Sequence, residues 1–156
     1  MMAINKRLRL YLDTSVFNRP FDDQSQVKIF LETQAMLLIL QMIQNKQVEL
    51  VNSNILEYEN SRNSDPDRAK AVELYLSLAS DRQIANELIR QRAKELEQNG
   101  VKAMDALHIA CAEAANSDYF LTCDKRLINK CKSLSLKVMN PADFILEIED
   151  ESKPAN

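Results

Sequence analysis

Two short apolar runs, residues 8–12 and 119–123, each stop at an aspartate, Asp13 and Asp124. Runs of this length bounded by polar residues read as buried strands, and the segments between them carry helical periodicity. Strands that alternate with helices imply a mostly parallel sheet covered on both faces. The predicted fold class is therefore α/β, a three-layer α/β/α arrangement around four or five strands. Ligands of such sheets collect at the carboxyl ends of the strands, and both aspartates stand at those ends.

The polar segment from Asp13 through Asn18, Arg19 and Pro20 reads as a loop. A helix follows from Ser25 or Gln26 to Gln44, apolar around most of its circumference, so it needs cover on more than one side. It suits a central core helix or one that also meets a partner. Residues 48–52 form a second strand, and Ser53 is a good N-cap for a helix carrying Ile55, Leu56, Tyr58 and Glu59. At about 100° per residue, Glu59 lies near the middle of that helix's inward face while Glu57 points away. Asp65 and Pro66 open a helix to Ala79, with proline at a favoured first position. Ser80 or Asp81 is expected to cap another, ending at Asn99 and Gly100, the only glycine in the sequence and a natural left-handed C-terminus. Those two charged helices look like an exposed insertion over the sheet. Residues 103–115 form a small-residue helix that must pack closely, residues 125–132 another helix, and residues 136–139 a fourth strand. Pro141 starts a last helix. Residues 1–148 then make one domain, and residues 149–156 a polar, frayed tail.

A chain of 156 residues with 46% hydrophobic content can bury one sizeable core. No secretory leader or membrane span is read: the basic start lacks an apolar stretch, and the longest apolar run, residues 36–40, is too short to cross a bilayer. Cys111, Cys123 and Cys131 are odd in number, without CxxC spacing, and suit reduced core thiols of a cytoplasmic protein rather than a zinc site. A net charge of −3 argues against gripping nucleic acid by bulk charge. A local rim from Arg19, Lys102, Lys125, Arg126, Lys130 and Lys132 remains compatible with a phosphate-bearing ligand, although each alone also reads as solvated surface.

Glu59 and Asp105 lie early in helices that can begin at the strand-end edge, which gathers four acids, Asp13, Glu59, Asp105 and Asp124, into one pocket. Each has a local structural use: Asp13 could bond Thr14 or Ser15, Asp124 could cap the next helix, Asp105 could offset a helix dipole, and Glu59 could pair with Arg62. Together they are harder to explain that way, because the helix around Asp105 is otherwise nearly uncharged. Two unit charges about 5 Å apart cost roughly 3 kcal/mol at an effective dielectric near 20. A hard cation with oxygen ligands, Mg²⁺ or Mn²⁺, resolves that repulsion. Clustered without it, the acids should have raised pKa values. Thr122 shares a strand face with Asp124 and could orient its carboxylate, as Ser15 could for Asp13. His108, one turn after Asp105, could reach the same ion, but in so apolar a helix it reads as a satisfied core residue.

The run Leu10-Tyr11-Leu12-Asp13-Thr14-Ser15, the segment Asp105-Ala106-Leu107-His108-Ile109-Ala110 and the run Phe120-Leu121-Thr122-Cys123-Asp124 resemble, in order and spacing, the motifs of PIN-domain nucleases. The resemblance extends from Arg7 to about Phe144, and the family's second acid, about six residues after a serine, matches Ser53 and Glu59. It implies a metal-dependent endoribonuclease in which Asp13, Glu59, Asp105 and Asp124 hold one or two Mg²⁺ or Mn²⁺ ions, leaving 5′-phosphate and 3′-hydroxyl ends on RNA. It is similar to VapC-type toxins, which implies an antitoxin that blocks the acidic pocket, with the helix of residues 26–44 available to that partner or to a homodimer. The long charged helices between residues 65 and 98 and the acidic balance depart from the pattern.

Two rival readings differ in chemistry. A haloacid-dehalogenase-like phosphotransferase would want a second aspartate two positions after Asp13, where Ser15 stands. A non-catalytic module of the same fold, docking RNA or protein, has no need of four acids.

Overall fold

The computed structural model describes residues 6–152. Five strands, β1 (Leu8–Leu12), β2 (Val48–Ser53), β3 (Asp81–Gln83), β4 (Tyr119–Leu121) and β5 (Lys137–Met139), form one sheet in the order β3-β2-β1-β4-β5. Every neighbouring pair is parallel. Parallel neighbours need crossovers, and these are supplied by helices α1 (Thr14–Asn18), α2 (Val27–Gln44), α3 (Asn54–Ser61), α4 (Pro66–Leu76), α5 (Glu87–Gln98), α6 (Ala103–Ala114) and α7 (Lys125–Lys130), with α8 (Pro141–Ser152) closing the chain. The predicted α/β class holds, with five strands.

β1 is the centre of the sheet, and its core residues Leu10, Tyr11 and Leu12 are fully buried. Near-continuous apolar strands are what a sheet covered on both faces requires. The chain winds outward from β1 through β2 to β3, then returns to β4 on the other side. The crevice between the carboxyl ends of β1 and β4 is thus the topological switch point, where open α/β sheets bind ligands. The amide of Asp13 donates to the carbonyl of Leu121 at 2.9 Å, fixing the two strand ends side by side.

Several expectations about local structure are corrected. The segment after Asp13 is not a loop: it forms α1 and a 3₁₀ turn (Arg19–Phe21), because Val16 and Phe17 are fully buried and draw it against the core. Residues 81–83 are an edge strand and not the start of a helix. The sequence Asp-Arg-Gln has no apolar alternation to announce it, and the strand is held by its backbone pairing to β2 and by Arg9, whose guanidinium meets Asp81 at 2.6 Å. α5 therefore starts later, with Asn86 as its N-cap accepting from the amide of Ile89 at 2.9 Å. At the far end α8 extends through residues 149–152, the first part of the polar tail, whose remainder, residues 153–156, lies with residues 1–5 outside the described residues.

The end of α5 follows its sequence. Gly100 takes φ +95°, and the amides of Val101 and Gly100 reach back to the carbonyls of Leu96 and Glu97 at 3.1 and 3.0 Å. This is the bonding pattern of a Schellman terminus.

Long and apolar enough by length and composition to pass for a membrane span, α2 nonetheless places Met36, Ile39 and Ile43 in the core. Its consecutive apolar run is short, yet the helix as a whole extends to 18 residues. Buried on the same helix, Glu32 is 1% exposed and answered by Arg19 and Lys28, each at 2.9 Å, and by the side-chain amide of Asn140. Only one side of α2 is covered: Val27, Phe30, Leu31, Leu37 and Leu38 remain exposed.

Candidate metal centre

Asp13 is placed by β1 and is itself buried. Hydroxyls hold its carboxylate from two elements: Thr122 donates to Oδ2 at 2.8 Å and Ser15 to the same oxygen at 3.1 Å. The shared strand face predicts that Thr122 orients Asp124. Thr122 turns to Asp13 instead, and touches Asp124 only by accepting from its backbone amide at 3.1 Å. Ser15 Oγ also accepts from the amide of Cys123 at 3.2 Å, so one pair of hydroxyls ties the ends of β1 and β4 together around the Asp13 carboxylate.

Glu59 arrives from α3. Ser53 caps that helix by accepting from the amide of Leu56 at 3.0 Å, which sets its phase. Leu56 is fully buried, Glu59 follows on the inward side, and Glu57 points outward to Arg82 and Asn52. The geometric choice between the two glutamates therefore agrees with the structure. Rather than pairing with Arg62, Glu59 Oε1 accepts from the hydroxyl of Thr14 and lies 3.1 Å from His108 Nε2.

His108 is fully buried, and Tyr11 Oη lies 2.7 Å from its Nδ1 and 2.7 Å from Ser53 Oγ. A charged carboxylate can only accept, so His108 donates from Nε2 to Glu59; in the neutral ring Nδ1 then accepts from Tyr11, and Ser53 donates to Tyr11. The result is a buried relay, Ser53 to Tyr11 to His108 to Glu59, in which each polar atom has a partner. The reading of His108 as a satisfied core residue agrees with this, yet the partner that satisfies it is one of the four acids.

Asp13, Glu59 and His108 each offer a ligand atom within 4.8 Å of the others, the one such group of metal-binding type among the described residues. Asp105 and Asp124 stand outside that tight group. Asp105 lies in the first turn of α6, half-buried, with no hydrogen bond or ion pair to any described residue. Burial, then the negative charges of Asp13 and Asp124, push its carboxyl up to about 6. Asp124 is exposed and caps α7, its Oδ1 accepting from the amides of Arg126 and Leu127 at 2.9 and 3.3 Å. A carboxylate has two oxygens, and capping by one leaves the other free to ligate.

The acids do not all behave as simple repulsion predicts. Burial pulls Glu59 upward, but the hydrogen bonds from His108 and Thr14 outweigh it and leave its pKa below the ordinary value. Asp105 is pushed the other way, first by its burial and then by the neighbouring negative charges. With both His108 nitrogens engaged in the relay, the oxygens of Asp13 and Glu59, with Asp105 nearby in the first turn of α6, are the atoms that could hold a divalent cation.

Sequence reasoning missed Thr14 as a support for Glu59, and no local signal could have found it, since the two are 45 positions apart. Of the expected cationic rim, Arg19 is committed to Glu32 and Asp22, while Lys102, Lys125, Arg126, Lys130 and Lys132 are exposed.

No curated protein sequence matches the chain. Among solved structures, the chain is similar to the crystal structure of FitAcB from Neisseria gonorrhoeae at 18% identity and a TM-score of 0.53, covering 85% of this chain and 97% of that one. It is also similar to VapBC2 from Rickettsia felis, crystallised bound to a DNA fragment from their promoter, at 16% identity and a TM-score of 0.55, with 85% and 98% covered. At such identities the likeness shows the fold. The sequence match is more specific: the PIN domain family matches residues 10–133, most of the chain, and the chain belongs to the PIN domain family.

Proposed function

We propose that this protein is a metal-dependent endoribonuclease that cleaves RNA by hydrolysis. The observation that carries the reading is the gathering of carboxylates at the switch point of the sheet, where Asp13 and Glu59 offer oxygens within 4.8 Å of each other and Asp105 stands half-buried without a hydrogen bond or ion pair to any described residue. Asp13, Glu59, Asp105 and Asp124 would hold one or two Mg²⁺ or Mn²⁺ ions. When bound, such an ion supplies an activated water and neutralises charge on the leaving oxygen. The chain's own contribution is orientation. Thr122 and Ser15 fix the Asp13 carboxylate, Thr14 and His108 fix that of Glu59, and none of these four adds a negative charge. Preset donors of this kind spare the site from reorganising during the reaction.

We further infer that it acts as the toxin of a toxin-antitoxin pair. Its motifs resemble VapC-type toxins, it is similar in fold to VapBC2, and the apolar stripe of Val27, Phe30, Leu31, Leu37 and Leu38 on α2 offers a partner a helix-length docking face. The test is cleavage of generic RNA with Mg²⁺ or Mn²⁺, with chelator, and with Asp13→Asn and Asp105→Asn. Cleavage should need the metal, leave 5′-phosphate ends, and fall at least a hundredfold in both variants. Activity that persists in both would belong to another site or a contaminant.

A further inference from the structure

Beside the acids a cleft of about 630 Å³ opens over α3, lined by Thr14, Arg19, Tyr58, Glu59, Arg62 and Arg68 among others. Tyr58 immediately precedes Glu59. While Glu59 turns inward, the Tyr58 ring stands at the rim and is 50% exposed. Arg62 is one helical turn further on, so the two side chains share a face. Its guanidinium carbon lies 5.8 Å from the ring centroid, and Nη1 donates to Tyr58 Oη at 3.2 Å.

The three arginines of the cleft differ in one decisive respect. Arg19 is paired with Asp22 and Glu32, and Arg68 with Asp22 and Asp65. Arg62 has no carboxylate partner among the described residues. Its charge is held against an aromatic face rather than cancelled, and so stays available to an incoming anion.

We propose that Tyr58 and Arg62 bind one unpaired nucleotide of single-stranded RNA next to the acidic centre, the ring stacking on the base and the guanidinium contacting a phosphate. The assignment rests on the nuclease reading for the identity of the ligand. Aromatic faces accept any base, and an adjacent arginine adds its own planar, cationic surface. A base within a duplex is already stacked on both sides and cannot reach the ring, so the pair selects single strands. With a net charge of −3, the protein has no bulk field to hold a polyanion, which places the weight of binding on such local contacts.

The test is fluorescence anisotropy with an end-labelled single-stranded oligoribonucleotide of about 12 residues and its duplex, using full-length protein carrying Asp13→Asn so that binding is read apart from cleavage. Tyr58→Ala should weaken single-strand binding about tenfold, and Tyr58→Trp should restore it to within about twofold. Arg62→Ala should reduce the slope of log Kd against log salt by about 0.7. Single-strand binding unchanged by Tyr58→Ala, no rescue by tryptophan, or equal affinity for the duplex would each overturn the proposal. Absence of cleavage by the wild type, in the presence of these binding effects, would instead strike at the nuclease reading and leave the stacking site standing.

Discussion

At the scale of single residues, two of the acids, Asp13 and Glu59, are held by neutral groups that reach them from distant parts of the chain, Thr122 for the first and Thr14 and His108 for the second. Tyr11 shows the cost of interrupting that support. Tyr11→Phe removes the hydroxyl that bridges Ser53 and His108, leaving two buried polar groups short of a partner, and should destabilise the protein by about 1–3 kcal/mol in denaturant titration. Asp105 makes a prediction of opposite sign. Its folded pKa, about 6, lies above the 3.8 of an ordinary aspartate, so the folded state retains a proton the unfolded state has lost. In metal-free protein, stability should therefore fall as pH rises from about 4 to about 6 and stay lower above that. The full shift corresponds to roughly 3 kcal/mol, and solvent screening of a half-exposed group reduces this to about 1. Asp105→Asn should accordingly raise the metal-free melting temperature by about 2–4 °C at neutral pH and have little effect near pH 4. A variant that melts lower than wild type at neutral pH would mark Asp105 as a structural residue. Glu59 runs the other way, its lowered pKa adding stability above the ordinary glutamate range that is lost as pH falls. Helix phase made the choice of Glu59 over Glu57 legible in the sequence. The link from His108 to Glu59 was not, because 49 positions separate them and only the fold brings them together.

Among the elements, those announced by apolar period or by a cap were legible. β1, α3 behind its Ser53 cap, α4 behind Asp65 and the Gly100 terminus of α5 all follow from residue type and position. β3 was hidden because an edge strand of charged and polar residues is specified by its neighbours rather than its own composition. α1 was hidden because its polar surface masks two buried residues, Val16 and Phe17. Gly100→Ala should cost about 1 kcal/mol: no atom lies within 4 Å of the added methyl, so the penalty is that of a side chain forced to positive φ. Glu32→Ala should cost more, about 3 kcal/mol, because it strips the buried partner from Arg19 and unties α2 from the 3₁₀ turn and from Asn140 before α8. Chemical denaturation of the two variants checks the ranking, and a Glu32→Ala protein as stable as wild type would contradict it.

For the molecule as a whole, topology decides where chemistry collects. A central β1 flanked by β2 and β4 creates one switch point, and the acids come to it from β1, α3, α6 and the end of β4. This much was legible from the alternation of strands and helices, whereas the division of labour among the acids was not: Asp124 spends one oxygen on capping α7, and Asp105, half-buried, has its carboxyl pushed upward by burial and by the neighbouring charges. The exposed stripe on α2 also belongs to this scale, since one chain covers only one side of a helix that is apolar on more than one. What joins these observations is the claim that the acids meet around a bound cation. Thermal melting of chelator-treated protein titrated with Mn²⁺ tests it without any substrate. At a hundredfold excess over Kd, binding to the folded state contributes about 2.7 kcal/mol, so the wild-type melting temperature should rise by about 5–10 °C, and Asp13→Asn should lose most of that rise. A wild type indifferent to Mn²⁺, or an Asp13→Asn protein that responds equally, would contradict the account.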